Sequence, residues 1–120
     1  MFVQHPVVLN IQQEDSVVRY RLQLPAELWC FDGHFPGQPV LAGVVQIHWA
    51  IGFGREHWPQ LGEFKALEAV KFQQLIPEGR EVNLEIRLDA GREKLYFCYS
   101  SDLGAHSSGR AVMSARPAHP

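Results

Sequence analysis

The chain has 120 residues, of which 46% are hydrophobic and 20% charged, and its net charge is −2 at pH 7. This size fits one compact domain, which we expect to span residues 1–120. The small net charge, without any block of like charges, disfavours a nucleic-acid partner bound through its phosphates. Because the N-terminus lacks a basic region followed by a long apolar core, we expect no signal peptide, no membrane insertion and a cytoplasmic location.

Alternating apolar and polar residues predict strands in two stretches, residues 18–24 and 82–88. In both stretches the apolar side chains fall on every second position, as expected for a sheet with one wet face. Weaker strand patterns cover residues 7–11, 66–75, 95–99 and 110–115. The turn residues at 89–92 predict a hairpin between the strands on either side.

Helix signals concentrate in residues 40–57, where Pro39 marks the entry and Pro59 the exit. This segment is apolar almost all round, so we expect it to be buried. The predicted order is two strands, one helix and four further strands. That order favours an α+β fold in which an antiparallel sheet wraps a single central helix.

A chain this short leaves a large share of its surface uncovered, so we expect a second subunit to complete the fold as a homodimer or heterodimer. The six histidines and the two cysteines, Cys30 and Cys98, show no metal-ligand spacing. We therefore expect no metal, and we interpret both cysteines as small buried hydrophobic residues.

The segment GHFPGQPVLAGVVQIHWA, residues 33–50, resembles the active-site segment of the 3-hydroxyacyl-acyl-carrier-protein dehydratases with the hotdog fold. The shared pattern is a His-Phe-Pro-Gly loop, a Pro-Val pair and a glycine at the helix start. A second segment, AVKFQQLIPEGREVNLEI at residues 69–86, resembles the family's Lys-Phe, turn and strand, although Glu78 is inserted into the Pro-Gly turn. The resemblance covers most of the chain and implies a hotdog fold.

The resemblance assigns roles to four residues of the first segment. It makes His34 the catalytic base and Gly43 the residue whose backbone N–H polarises the thioester carbonyl. It also places Phe35 and Val44 against the substrate. Imidazole suits the removal of a C2 proton at neutral pH, and a helix N-terminus suits the negative charge that then builds on oxygen. The implied reaction removes water from a 3-hydroxyacyl thioester on acyl carrier protein, without a cofactor.

The chain departs from the family pattern at His48. The family has a Glu or Asp fourteen residues after its catalytic histidine, and counting from His34 leads to His48. On an ideal helix, His48 lies on the same stripe as Leu41, Val44 and Val45. We expect this stripe to be buried. The resemblance also places His34 of one subunit opposite His48 of the other. Gln46 falls on another part of the helix and is expected to make buried structural hydrogen bonds.

Three interpretations of His48 remain open. A protonated His48 donates to the leaving hydroxyl, a neutral His48 orients that hydroxyl or a water, or the dehydratase activity is lost and the chain is a non-catalytic partner subunit. A thioesterase is a third functional alternative, but no carboxylate is adjacent to His48. Because the helix residue is altered, the chain resembles the divergent dehydratases of aryl-polyene and other specialised lipid pathways more than the housekeeping fatty-acid enzyme.

Overall fold

The computed structural model describes residues 5–24, 41–77 and 79–115. Within these ranges the chain forms two strands, one helix and four strands, in the predicted order. The elements are β1 (Val7–Glu14), β2 (Val17–Gln23), α1 (Gly43–His57), β3 (Leu61–Phe72), β4 (Glu81–Asp89), β5 (Lys94–Ser101) and β6 (Gly104–Ala115). The first and last strands are longer than predicted, and β3 begins and ends earlier than residues 66–75.

The six strands form one sheet in the order β1-β2-β4-β5-β6-β3, and every neighbouring pair is antiparallel. Helix α1 packs on one face of this sheet, where it contacts β3, β4 and β5. The sheet order leaves β1 and β3 as its two edges. The predicted α+β class, with one helix against an antiparallel sheet, is therefore confirmed.

The alternation in β2 and β4 places their apolar side chains against the helix. Tyr20 of β2 lies opposite Leu84 of β4, and the two strands stay in register from Val17 to Gln23. Every second side chain of each strand is buried. The predicted hairpin at 89–92 is also confirmed, since it joins the paired strands β4 and β5.

Helix α1 is buried on one side only. Its buried residues are Gln46, Trp49, Ala50 and Gly54. Val44, His48 and Gly52 recur every four residues along the other side and are exposed, Val44 at 73%. The expectation that the segment is buried all round is therefore wrong for the single chain. With 15 residues α1 is short, and no helix of the described part of the chain is long and apolar enough to cross a membrane.

Candidate functional site

The start of α1 carries no capping group. Ala42 is the N-cap residue, with the extended backbone typical of that position (φ −64°, ψ 145°), but its methyl group cannot accept a hydrogen bond. The first turn has no acidic residue. Within the described residues, no acceptor pairs with the backbone N–H groups of Gly43 and Val44. The positive end of the helix dipole therefore presents two donors from which no described group accepts.

Gly43 lies against the tip of the Phe72 ring. A methyl group added at Gly43 would approach Cζ of Phe72 to 2.5 Å, so the absence of a side chain allows this close contact. Phe72 is the last residue of β3 and is 56% exposed. In the single chain, an exposed aromatic ring therefore lies beside Gly43, where a close approach of the substrate to the main chain was predicted.

His48 is exposed, which contradicts its predicted place on a buried stripe. Of the four residues assigned to that stripe, Leu41 is buried, Val45 is half-buried, and Val44 and His48 face away from the core. The error came from taking one apolar stripe as the core side of a helix whose opposite side is also apolar. The core side is marked instead by Gln46, Trp49 and Ala50.

Gln46 is buried and makes the structural hydrogen bonds predicted for it. Its Nε2 donates to the carbonyl of Leu41 at 3.1 Å, and its Oε1 accepts from the Ser107 hydroxyl at 2.6 Å. The Tyr99 hydroxyl donates to the backbone carbonyl of Gln46 at 2.7 Å. Burial raises the pKa of Tyr99, so this phenol remains a neutral donor. Sequence reasoning missed Tyr99 and Ser107, although both lie on inward-facing positions of their strands.

A second buried polar cluster surrounds His106 near the end of β3. The ring Nδ1 lies 3.2 Å from the carbonyl of Gln74, which can only accept, so Nδ1 carries the proton. Nε2 then accepts from the Ser101 hydroxyl at 2.7 Å, while Ser101 Oγ accepts from the N–H of Leu103 at 3.1 Å. His106 is thus a fully paired core residue that ties β6 to the segment after β3.

Two of the predicted site residues, His34 and Phe35, lie outside the described residues, as does Cys30. Cys98 is half-buried and its thiol is free. Burial, and secondarily the charge of Glu85, raises the pKa of this thiol. Cys98 is therefore less buried than predicted. Among the site residues, the structure brings together Gly43, Val44 and His48 on the open side of α1 and at its start.

A groove of about 780 Å³ lies on the other face of the sheet, away from α1. Charged side chains from β2 and β4 line it and neutralise one another: Arg19 pairs with Glu85 at 2.9 Å, and Arg21 with Glu81 at 3.8 Å. Because its charges are already paired and it is remote from the helix start, we assign the groove no role in the site.

One helix on a six-stranded antiparallel sheet, with an uncapped helix start, places the chain in the class of hotdog-fold proteins. A family model described as ApeI-like, ApeI dehydratase, matches residues 10–110. The chain therefore belongs to the ApeI-like dehydratase family. The predicted membership of the hotdog dehydratases is confirmed.

Solved structures with the same fold extend over nearly the whole chain. A chain of the dehydratase heterocomplex ApeI:P from Xenorhabdus doucetiae is 32% identical, with a TM-score of 0.85, and the match covers 91% of this chain and 97% of that one. An uncharacterized protein from Erwinia carotovora subsp. atroseptica is 33% identical, with a TM-score of 0.80, over 92% and 97% of the two chains. These matches confirm the hotdog fold.

A curated relative is similar over a shorter stretch. The 3-hydroxyacyl-[acyl-carrier-protein] dehydratase FabZ of Ligilactobacillus salivarius is 29% identical over 92 residues, which cover 71% of this chain. The match spans 64% of that relative's own length. This relative therefore informs the activity we propose below, although the chain matches only part of it.

Proposed function

We propose that the chain, together with a second hotdog subunit, removes water from 3-hydroxyacyl thioesters carried on acyl carrier protein. The product is the trans-2-enoyl thioester, and the reaction needs no cofactor. We place this reaction in the cytoplasm. The histidine at position 48, where the family has Glu or Asp, favours a specialised lipid pathway, such as aryl-polyene synthesis, over housekeeping fatty-acid synthesis.

The proposed reaction removes a proton from C2 and delivers a proton to the hydroxyl oxygen on C3. His34 removes a proton from C2, and the electron pair of that C–H bond moves toward the thioester carbonyl. The N–H of Gly43 donates to the carbonyl oxygen, where negative charge builds. The electron pair then forms the C2–C3 double bond as the C3–O bond breaks, and the hydroxyl leaves as water with a proton from His48. Phe35 and Val44 line the substrate.

The observation that carries this proposal is the open helix start at Gly43. Two N–H groups at the positive end of this helix have no acceptor among the described residues and suit a developing oxyanion, and the chain belongs to a dehydratase family. His48 supports the proposal because it lies on the exposed side of the same helix, where a substrate or a second subunit can reach it.

The second subunit is proposed because the single chain leaves large apolar side chains exposed on its edge strand and on α1. The edge strand β3 and the segment after it expose Phe64, Phe72 and Leu75 at 43%, 56% and 61%. Val44 is exposed beside His48 on α1. A patch of this kind is typical of an interaction site, and the known heterocomplex structure supports a hotdog subunit, either a copy or a related chain, as its partner.

The proposal is tested by measuring enoyl formation from 3-hydroxyacyl carrier-protein substrates, with the purified chain alone and with a candidate partner subunit. His34→Ala should lower turnover by about 10² or more, because a general base commonly contributes that much. His5→Ala, a substitution of an exposed histidine before the edge strand β1, is the matched control and should retain full turnover. Full turnover in His34→Ala would overturn its assignment as the base.

His48 is tested by replacing it with a residue that keeps or removes the donor. His48→Leu should lose most of the dehydration, whereas His48→Glu, which restores the family's acid, should retain measurable activity. Because His48 is exposed, neither change should unfold the protein. If His48→Leu keeps full activity, His48 is not the proton donor.

A non-catalytic partner subunit is the second candidate, and the histidine in place of the family's acid favours it. In that case the chain would form no enoyl product alone, and His34→Ala would not affect the activity of its complex. Thioester cleavage without dehydration would instead indicate the third candidate, a thioesterase activity of this chain. Light scattering that shows only an active monomer would exclude a site shared between subunits.

A further inference from the structure

The beginning of α1 is ordered without a capping side chain. Ala42 offers no acceptor to the first turn, although an N-cap Ser, Thr, Asp or Asn typically stabilises a helix by about 1 kcal/mol relative to Ala. A cap would also occupy the N–H of Val44 or Val45, next to the Gly43 donor that the proposed function uses. The helix start therefore has to be held by contacts that do not involve these N–H groups.

Such contacts converge on Leu41, the residue before the cap. Its N–H donates to the carbonyl of Ile76 at 2.8 Å, and its own carbonyl accepts from Gln46 Nε2 at 3.1 Å. The backbone N–H of the buried Leu41 is thus fixed by the segment after β3, and its backbone carbonyl is fixed by α1. The Gln46 amide holds the chain at the Leu41 carbonyl, before the helix, and does not use the N–H groups of Gly43 and Val44, which have no acceptor in the described ranges.

Gln46 is itself fixed to the sheet by two hydroxyl groups. Ser107 on β6 donates to its side-chain oxygen, and Tyr99 on β5 donates to its backbone carbonyl. Gln46 is 4% exposed, and Ser107 and Tyr99 are fully buried. Buried polar groups are costly unless paired, and no buried side-chain polar atom among the described residues lacks a partner. The network therefore favours a single position of α1 on the sheet.

We propose that Gln46 is a positioning residue: through Leu41 and the hydroxyls of Ser107 and Tyr99, it fixes the open start of α1 where Gly43 can donate to the substrate. The catalytic consequence rests on the proposed function, whereas the structural consequence at Gly43 does not. Gln46 does not touch the substrate. Its contribution is the placement of the backbone donor Gly43, three residues earlier in the chain.

The first test replaces the amide with an apolar side chain of similar length, Gln46→Leu. Gln60→Leu, at an exposed position outside the helix, is the matched control. We expect the backbone amide signals of Gly43 and Val44 to shift or broaden in ¹H–¹⁵N spectra of Gln46→Leu only. We expect kcat to fall about 10-fold, short of the 10²–10³ lost when such a donor is removed outright, with KM within about 2-fold of wild type.

A second variant, Gln46→Glu, keeps the size of the side chain and makes the hydrogen bond to Leu41 depend on pH. When protonated, the introduced carboxyl donates to the Leu41 carbonyl and accepts from Ser107, as the amide does. When ionised, it has no donor and places a charge in the core. Burial raises the pKa of such a carboxyl above its ordinary value near 4.3, so its stabilising contacts are lost as pH rises from that value through the raised pKa.

The pH series gives a readout that a merely structural role would not change. The Gly43 amide signal and kcat of Gln46→Glu should approach wild type at low pH and depart from it together as pH rises. This variant also keeps the test decisive if Gln46→Leu fails to fold. An unchanged Gly43 amide, or a kcat that parallels wild type while only the melting temperature falls, would overturn the proposal.

The two proposals fail in different ways. If the wild-type chain and its partner form no enoyl product, the proposed function fails, but the amide signals of Gly43 still report whether Gln46 positions the helix start. If wild type is active and the Gly43 amide is the same in Gln46→Leu as in Gln60→Leu, only the positioning proposal fails.

Discussion

The two sides of α1 differ in how completely their groups are paired. On the side facing the sheet, Gln46 and Trp49 are buried, and the polar atoms of Gln46 bond to Leu41 and Ser107. On the other side, Val44 and His48 are exposed, and the N–H of Gly43 has no acceptor within the described residues. Stability should therefore reside on one side of the helix and the proposed chemistry on the other, and substitutions should separate the two.

The largest effect on stability is expected at Trp49. Trp49→Ala removes a large side chain that is 4% exposed and should lower the free energy of unfolding by about 3–5 kcal/mol. Val44→Ala, on the open side of the same helix, should change it by less than about 0.5 kcal/mol. Urea unfolding monitored by circular dichroism measures both. Equal losses in the two variants would contradict the division of the helix into a stabilising side and an open side.

Two glycines of α1 provide a finer comparison within the same helix. A methyl group at Gly54 would come within 2.5 Å of the buried Leu95 side chain, so Gly54→Ala should destabilise the fold by about 1–3 kcal/mol. At Gly52 nothing lies within 4 Å, and Gly52→Ala should stabilise the fold by about 0.5–1 kcal/mol through the reduced entropy of the unfolded chain. Thermal unfolding distinguishes them, and shifts of the same sign would be inconsistent with this geometry.

The helix start should respond to a cap in opposite ways for stability and activity. Ala42→Ser supplies an acceptor for a first-turn N–H and should stabilise the fold by about 1 kcal/mol. The same hydroxyl accepts from the N–H of Val44 or Val45, beside the Gly43 donor, and its partial negative charge opposes the oxyanion that develops there, so turnover should fall. Melting temperature and kcat are measured on one preparation, with Ala42→Val as a branched control that cannot cap. A more stable variant with undiminished turnover would show that the open N–H groups are not used.

The fold was predictable because its signals are local and repeat along the chain. Period-two alternation marked β2 and β4, and the apolar segment between Pro39 and Pro59 marked α1. The bounds of β3 were less predictable, since this edge strand is mostly exposed and contains irregularities that shift its register against β6. One of these irregularities includes Ala69, whose φ of +52° lies in the left-handed region.

The site was predictable only where it coincides with a motif. The glycine at the helix start was identified from its position in that motif, whereas the side of the helix on which His48 lies was misjudged. An apolar stripe does not define the buried side when both sides of a helix are apolar, and here the sheet selected the side that carries Gln46. The partners Tyr99 and Ser107 lie 53 and 61 residues from Gln46 in sequence, so no local pattern could reveal them.

The smallest effect is expected at a charged cluster that contrasts with the neutral network under α1. Glu68 accepts from Lys94 Nζ at 2.9 Å and from Arg110 Nε at 2.7 Å. These hydrogen bonds, led by that of Lys94, hold the pKa of Glu68 below its usual value. A lowered folded-state pKa means that the stabilisation is present above the ordinary glutamate pKa and is lost as pH falls through the lowered one.

Glu68→Gln should therefore lower the melting temperature slightly at neutral pH, and its difference from wild type should shrink in acid and in high salt, because exposed charges are screened. Ser107→Ala is the matched comparison, since it removes a hydroxyl from a buried network without a charge. Its difference from wild type should be larger and should stay constant from acid to neutral pH. Melting temperatures measured across that range, at low and high salt, check both expectations. A pH-independent difference for Glu68→Gln would show that its carboxylate is not held by the two cations.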